Sequence, residues 1–167
     1  MALQLFKIAD VTVATPQSSI EFTSIPSGYT DLKLVVSARQ NGSSTPDLWI
    51  RMNSLTTGYT GRFISSNGSS PGSGTRAVSA WGIGVVGGSN TTTNTFGNQE
   101  IYIPNYTSSN QKSVSSDSVQ EDNVTLAYSY LFANLNTSTA AITSLTLLLE
   151  TSEKFEANST ATLYGIL

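Results

Sequence analysis

The sequence predicts an all-β fold, an antiparallel β-sandwich of jelly-roll type with about 8–10 strands. Short segments with apolar residues at alternate positions recur along the chain, as expected for strands with one buried face. Clusters of Gly, Asn, Pro and Ser separate these segments at intervals suited to turns. No window of roughly 11–18 residues shows the apolar stripe of an amphipathic helix. We therefore treat residues 1–167 as a single β-sandwich domain.

The amino-terminal segment, residues 1–10, allows two interpretations. It carries apolar side chains at Leu3, Leu5, Phe6 and Ile8. These side chains belong either to the first strand of the sandwich or to an arm that contacts another subunit. All four are accordingly candidate interface residues.

Three segments then show the strand pattern most clearly, namely residues 19–25, 31–37 and 47–53. In the last of them, Leu48, Ile50 and Met52 share one face. Trp49 is then expected on the opposite, outward face.

The rest of the chain divides into strands and long polar loops. Further strands are predicted at residues 58–64, 76–86, 96–104, 124–135, 144–151 and 160–166. Segments 40–46, 65–75 and 87–95 are rich in Gly, Ser, Thr, Asn and Pro and are predicted to be loops. Residues 116–122 are predicted to form at most one helical turn.

The composition argues against most catalytic chemistry. The chain has no His and no Cys, so it lacks an imidazole base, a thiol nucleophile, disulfides and the usual zinc ligands. With 8 Lys+Arg, 11 Asp+Glu and a net charge of −3, it lacks the basic surface that nucleic-acid phosphates require. We expect a protein that is not an enzyme, holds no cofactor or metal ion and does not bind nucleic acid.

The apolar runs of the chain are short. None approaches the ~20 residues that cross a bilayer as a helix. Residues 1–10 also lack the basic region and the continuous apolar stretch of a Sec signal peptide. We expect no membrane partner, and synthesis and folding in a cytoplasm.

Acidic residues form two clusters, which comprise Glu121, Asp122, Glu150, Glu153 and Glu156. A glycosidase needs two carboxyl groups opposed across a cleft, whereas carboxylates in or beside turns are usually solvated. The spacing of an EF-hand calcium loop is absent. Solvated charge is therefore the favoured interpretation, with calcium binding as the less favoured alternative.

A glycine pattern of the type G-x-G-x-x-G occurs at Gly82, Gly84 and Gly87. In nucleotide-binding proteins this pattern follows a strand and opens a helix, whose amino terminus holds the phosphates. Here a Ser-, Thr- and Asn-rich segment follows instead. We therefore predict a glycine-rich strand or bulge.

Aromatic residues provide the remaining candidates. Trp49, Tyr59, Trp81, Tyr102 and Tyr106 are predicted at outward or loop-adjacent positions. Exposed Trp and Tyr side chains are typical of protein interfaces and could also bind sugar rings. Ordinary packing within the sandwich is the favoured interpretation for most of them, and Trp49, Tyr59, Trp81 and Tyr106 are the aromatic candidate interface residues.

Five segments of the chain resemble small structural proteins of tailed bacteriophages, above all those of phages of marine and freshwater bacteria. These segments are residues 6–10, 18–39, 48–53, 103–107 and 160–166. The resemblance spans most of the chain and is weakest in the loops between residues 65 and 95. Its motifs are strand starts, a Pro-containing turn and a closing strand, so they specify a fold more than an activity.

The resemblance implies a non-enzymatic virion component. It suggests either a β-sandwich decoration (cement) subunit on the outer capsid surface or a module of a tail or head fibre. It also implies a homotrimer, with the major capsid protein as the partner of a decoration subunit. We favour decoration because fibres generally carry a coiled-coil or triple β-helix segment, and this chain has neither pattern. A host surface glycan would be the partner of a fibre module, and a carbohydrate-binding module is a further alternative.

Overall fold

The computed structural model describes residues 4–76, 79–123 and 127–167, in which twelve strands form the regular structure. In chain order they are β1 (Leu5–Thr12), β2 (Ser19–Phe22), β3 (Asp31–Ala38), β4 (Asp47–Met52), β5 (Tyr59–Ser66), β6 (Pro71–Arg76), β7 (Trp81–Val85), β8 (Gly97–Ile103), β9 (Lys112–Gln120), β10 (Tyr128–Asn136), β11 (Leu145–Leu149) and β12 (Thr160–Ile166). The predicted all-β, antiparallel fold is confirmed. Within these residues there is no helix long and apolar enough to cross a membrane.

The strands form two sheets in which neighbours run antiparallel. The large sheet has eight strands in the order β1-β12-β3-β8-β9-β10-β5-β6, and the small sheet has four in the order β2-β11-β4-β7. The hairpins β5–β6 and β9–β10 lie side by side in the large sheet and continue it beyond β8. We call these four strands the extension.

The core is one apolar cluster to which both sheets contribute. In β3, buried residues alternate with half-exposed ones, and Leu32, Leu34 and Val36 are fully buried. Leu145 and Leu147 of β11, in the small sheet, belong to the same cluster. Burying one such side chain stabilises a fold by about 1.5–3 kcal/mol, so this cluster holds the two sheets together.

The prediction of a helical turn at residues 116–122 is wrong, because β9 runs through most of that segment. Buried and exposed residues alternate along the whole of β9. The buried positions include Ser116 and Ser118, which are small and polar, so the strand lacks an apolar period. Small residues are needed here because β7 packs very close to β9, and a Cβ atom on Gly84 would collide with the Ser118 side chain.

The prediction of a loop throughout residues 65–75 is also wrong. β6 pairs with β5 from Arg76 back to Pro71 and forms an edge of the large sheet. Its Pro and its two Gly residues are typical of turns, which hides the strand from sequence analysis. An edge strand tolerates Pro because one side of its backbone has no strand neighbour.

Two predicted strands begin well after their predicted first residues in the structure. The strand predicted at residues 76–86 is represented by the shorter β7, and the strand predicted at residues 124–135 by β10. Residues 77–78 and 124–126, which belong to these predictions, lie outside the described residues.

Candidate interaction surfaces

The amino-terminal candidate residues lie on β1, an edge strand of the large sheet that pairs with β12. Leu5 and Phe6 are 49% and 39% exposed, and Ile8 is half-buried. The centroid of the Phe6 ring lies 6.0 Å from that of Tyr29. Leu3 lies outside the described residues. Leu5 and Phe6 are therefore accessible to a partner, and their role as interface residues stays a prediction.

The open edge of β1 carries two features that discourage the addition of another strand. The register with β12 shifts between Lys7 and Ala9, as in a β-bulge. The Lys7 Nζ lies 2.7 Å from Asp10 Oδ1, and both side chains are exposed. Bulges and charged residues protect edge strands from pairing with other chains. A partner at β1 would therefore contact side chains rather than the backbone edge.

Three of the four aromatic candidates are buried, so an outward position is wrong for them, and the ordinary packing favoured for most of the aromatic residues is what they show in this subunit. Tyr59 is 4% exposed, whereas Trp81 and Tyr106 are fully buried. Trp81 has no outward alternative because every residue of β7 is buried. The hydroxyl of Tyr106 donates a hydrogen bond to the backbone carbonyl of Pro26, which ties the ring to the 24–30 loop.

Tyr59 is fixed by two contacts inside the core. Its ring meets that of Trp81 edge to face, with centroids 5.5 Å apart, an arrangement that the aromatic quadrupoles favour. Its hydroxyl accepts a hydrogen bond of 3.0 Å from the backbone N–H of Met52. Burial raises the pKa of the Tyr59 hydroxyl above its ordinary value.

Trp49 is half-buried on β4, on the side opposite the core residues Leu48 and Ile50. On the same side of the strand, Arg51 donates hydrogen bonds of 3.0 Å to the backbone carbonyl and the hydroxyl of Ser79. Trp49 is the one member of the four aromatic candidates that is not buried. Its role at an interface stays a prediction.

The glycines of the G-x-G-x-x-G pattern allow β7 to approach the large sheet closely. A Cβ atom on Gly82 would lie 3.2 Å from Cε1 of Phe132, and one on Gly84 would collide with Ser118. The predicted glycine-rich strand is present as β7, and the segment after it has no helix. The pattern therefore serves packing between the sheets.

Side-chain amides of the large sheet bond directly to the backbone at β7. Asn134 donates to the carbonyl of Gly82 at 2.9 Å, and Gln99 donates to the carbonyl of Val85 at 3.0 Å. Just past the strand, the N–H of Gly87 donates to Gln120 at 3.1 Å. These bonds use polar groups of an edge strand that would otherwise be open to another chain.

The outer face of the extension carries three large exposed apolar side chains. Leu131 is 51% exposed, Ile64 61% and Val119 47%. Leu131 lies directly opposite Ile64 across the β10–β5 pair. An open groove of about 640 Å³ runs beside Ile64 and Leu131 and also touches Pro71. We call Ile64, Leu131 and Val119 the extension patch.

Opposite charges flank the extension patch. Asp117 is exposed on β9, directly opposite Leu131. Arg62 is exposed on β5, two residues before Ile64, and its Nη1 atom donates a hydrogen bond of 3.2 Å to the carbonyl of Gly61. The patch thus has an anionic side towards β9 and a cationic side towards β5.

On the other face of the extension, aromatic rings pack against one another. Tyr130 stacks on Phe132 and on Tyr128, with centroids 5.4 and 6.4 Å apart and interplanar angles of 18° and 21°. Phe63 lies within 5.7 Å of both Tyr130 and Phe132. The ring faces between neighbours are covered, so this row is built for packing more than for stacking on a sugar ring.

The acidic candidates make local contacts. Glu156 Oε2 lies 2.9 Å from Arg39 Nε, and Glu121 accepts a 2.7 Å hydrogen bond from the N–H of Asn123. Hydrogen bonds, above all one from the Thr151 side chain, hold the pKa of Glu153 below its ordinary value. Among the described residues no three His, Cys, Asp or Glu side chains converge as a metal site would require.

The extension patch was not among the residues singled out from the sequence. One signal could have found it: β10 carries large apolar residues at the consecutive positions Tyr130, Leu131 and Phe132. In a strand with one solvent-exposed face, the residue between Tyr130 and Phe132 would be polar. Consecutive apolar residues instead indicate a strand that is covered on both faces.

No protein-family model, curated protein or solved structure matches this chain. The fold and its surface therefore define its class directly. It is an antiparallel β-sandwich whose large sheet exposes an apolar patch on its outer face.

Proposed function

We propose that this chain is a non-enzymatic structural protein of a bacteriophage virion, a decoration subunit that binds the major capsid protein on the outside of the head. The observation that carries the proposal is the extension patch, a set of large apolar side chains exposed on a broad sheet face. Exposed apolar surface of this kind marks protein–protein contacts, which in a decoration layer include contacts between copies of this chain as well as contacts with the capsid protein. The resemblance of five sequence segments to phage structural proteins supplies the setting for those contacts.

The order of the strands supports this proposal. We interpret two four-stranded groups, β1-β12-β3-β8 and β2-β11-β4-β7, as a jelly roll into which the hairpins β5–β6 and β9–β10 are inserted. Jelly rolls occur in viral capsid proteins and in lectins. Because one fold hosts many functions, this support is secondary to that of the exposed surface.

A decoration subunit would act through many modest contacts. An oligomer of this chain, such as the homotrimer implied by the resemblance, would let one particle engage several capsid subunits at once, so the contacts reinforce one another. A subunit that binds the intact shell and not the ruptured one stabilises the shell by mass action. The low charge of the chain keeps the cost of desolvating such a surface small.

Virions that lack this protein test the proposal. We expect them to release DNA at a lower temperature or a lower ionic strength than wild-type virions, and purified protein added back should restore their stability. Virions of unchanged stability would contradict a decoration role. If such virions also fail to adsorb to host cells, the protein is a fibre module.

Glycan binding by the isolated chain tests the remaining alternative. A decoration subunit is expected to show no signal on a glycan array. A signal that Trp49→Ala abolishes would overturn the proposal in favour of a carbohydrate-binding module, because Trp49 is the aromatic candidate with exposed surface.

A further inference from the structure

We infer that the extension patch binds a second copy of this chain, with the two large sheets face to face about a twofold axis parallel to β10. The inference concerns the isolated protein and does not rest on a role in virions. Three observations carry it: apolar pairs on both faces of the extension, charges that complement themselves under this symmetry, and small side chains around the patch.

The first observation is that β10 and β5 carry apolar pairs on both of their faces. Phe132 and Phe63 are cross-strand partners on the inner face, and their ring centroids lie 5.6 Å apart. Leu131 and Ile64 are partners on the outer face, where both are more than half exposed. Sheets that carry apolar residues on both faces are normally covered on both. The outer face therefore has the composition of a buried surface.

The second observation is the arrangement of charge. Asp117 lies on the β9 side of Leu131, and Arg62 lies on the β5 side. A twofold axis parallel to β10 places the β5 side of one copy over the β9 side of the other. Arg62 of each copy then comes within reach of Asp117 of the other, which gives two equivalent ion pairs. A twofold axis perpendicular to the strands would instead place each Arg62 over the β5 side of the other copy, away from Asp117 of that copy.

The acidic side of the patch is available for such an ion pair. Glu100 lies on β8, directly opposite Asp117, and its Oε1 atom already lies 2.6 Å from Lys33 Nζ. Asp117 makes no ion pair with another described residue within 4.0 Å. A guanidinium group from a second copy would supply the missing countercharge.

The third observation is that small side chains surround the patch. Apart from Arg62 and Asp117, the exposed residues beside Leu131 on β5, β9 and β10 include Ser66, Ser115, Ser129 and Ala133. None of them is long enough to hold a facing sheet away from Leu131. Two sheets can then approach to the roughly 10 Å at which stacked sheets pack.

This contact is isologous, so its product is a dimer rather than the trimer implied by the resemblance. It also differs from strand addition at β1, which the bulge at Lys7 and Ala9 and the Lys7–Asp10 ion pair discourage. The mass of the particle in solution distinguishes these arrangements.

Sedimentation velocity of the full chain over a range of concentrations tests the inference. We expect a monomer–dimer equilibrium in which Leu131→Thr weakens association by at least about tenfold, because two exposed leucines lose their burial per dimer. Thr is well suited to an outward strand position, so the fold should be retained. Thermal unfolding checks this for each variant.

Charge reversal tests the predicted symmetry. Arg62→Asp and Asp117→Arg should each weaken the dimer, because each sets like charges against one another across the interface. The double variant should recover most of the lost association. Leu5→Thr is the matched control, since Leu5 is equally exposed but lies on β1, and it should leave the dimer unchanged.

A chain that stays monomeric at high concentration would overturn the inference. A trimer that Leu131→Thr leaves intact would also overturn it, as would a double charge variant that associates no better than the single ones. Each of these results leaves the proposed virion role standing, because that role is tested on virions and not on the isolated chain.

Discussion

Leu131 and Ile64 are direct cross-strand partners on the outer face of the large sheet, and more than half of each side chain is exposed. Cross-strand apolar pairs stabilise a sheet most when another layer covers them. In the described chain nothing of comparable size covers this pair. The relationship therefore links the fold to its proposed use, because a second protein surface would complete the packing.

Replacing Gly84 by Ala should destabilise the sandwich by about 2 kcal/mol. The added methyl group would collide with the Ser118 side chain, and the backbone φ of 150° is one that residues with a Cβ rarely adopt. Urea unfolding followed by circular dichroism measures the loss. Gly28→Ala is the control, since nothing lies within 4 Å of its Cβ position, and it should change stability by less than about 0.5 kcal/mol. Equal effects of the two variants would contradict the close packing of β7.

Replacing Arg39 by Met should destabilise the protein by about 2–4 kcal/mol. The buried guanidinium donates to the carbonyls of Gly88, Thr92 and Thr95 at 2.7–3.0 Å and pairs with Glu156. The variant leaves these acceptors without their donor. Hydrogen exchange should rise in residues 88–95 before it rises in the core.

The exposed Arg62 provides the control for Arg39. Arg62→Met removes an exposed guanidinium of the same size, which donates a hydrogen bond to the adjacent carbonyl of Gly61. We expect its free energy of unfolding, measured at a concentration where the chain is monomeric, to stay within about 0.5 kcal/mol of wild type. A loss as large as that of Arg39→Met would show that the cost is not specific to the buried contacts.

The free energy of unfolding should fall as the pH rises above about 10, in part because of Tyr59. Burial raises the pKa of this hydroxyl in the folded state above its ordinary value of 10.0. Between the pKa of the unfolded chain and the higher pKa of the folded chain, the unfolded chain loses the proton and the folded chain keeps it. The unfolded state is therefore favoured as the pH rises. The contribution of Tyr59 to the free energy of unfolding is fully present below pH 10 and is lost as the pH rises through its folded-state pKa.

Tyr59→Phe should therefore flatten the alkaline decline relative to wild type, although not abolish it, because the pKa of Tyr106 is also raised by burial. Burial of Lys112 acts in the opposite direction, since it lowers the pKa of a cation. The difference between the pH profiles of wild type and Tyr59→Phe isolates the contribution of Tyr59. Parallel pH profiles would contradict the burial of its hydroxyl.

The two tryptophans should differ in their fluorescence. Trp49→Phe leaves only Trp81, whose emission should be blue-shifted and poorly quenched by acrylamide, because this ring is fully buried. Trp81→Phe leaves only the half-buried Trp49, which should be quenched more readily. A Trp81 emission that is quenched more easily than that of Trp49 would contradict the burial of Trp81.

Much of the fold follows from the sequence because most strands have one apolar face. In β3 and β11 every buried position carries an apolar residue, and only Val35 and Leu148 are apolar at half-exposed positions. β9 escaped prediction because its inward side includes the serines 116 and 118, which are dictated by the approach of a glycine-rich strand that lies far away in sequence. Such a tertiary contact leaves no local period to detect.

The candidate surface was harder to predict than the fold. Trp81 and Tyr59 looked like surface aromatics because the sequence does not state which face of a strand is inward, and β7 has no outward face at all. The exposure of Leu131 and Ile64 depends on which face of β10 and β5 the second layer covers, and β7 covers the opposite face, where Phe132 lies. That geometry becomes visible only when the pairing of the strands is known.

Quantitative mass spectrometry of purified virions tests the central proposal most directly, because it counts the copies of this chain per particle. A decoration subunit predicts copies in the hundreds, in a fixed ratio to the major capsid protein. A handful of copies per virion, or none, would contradict the proposal.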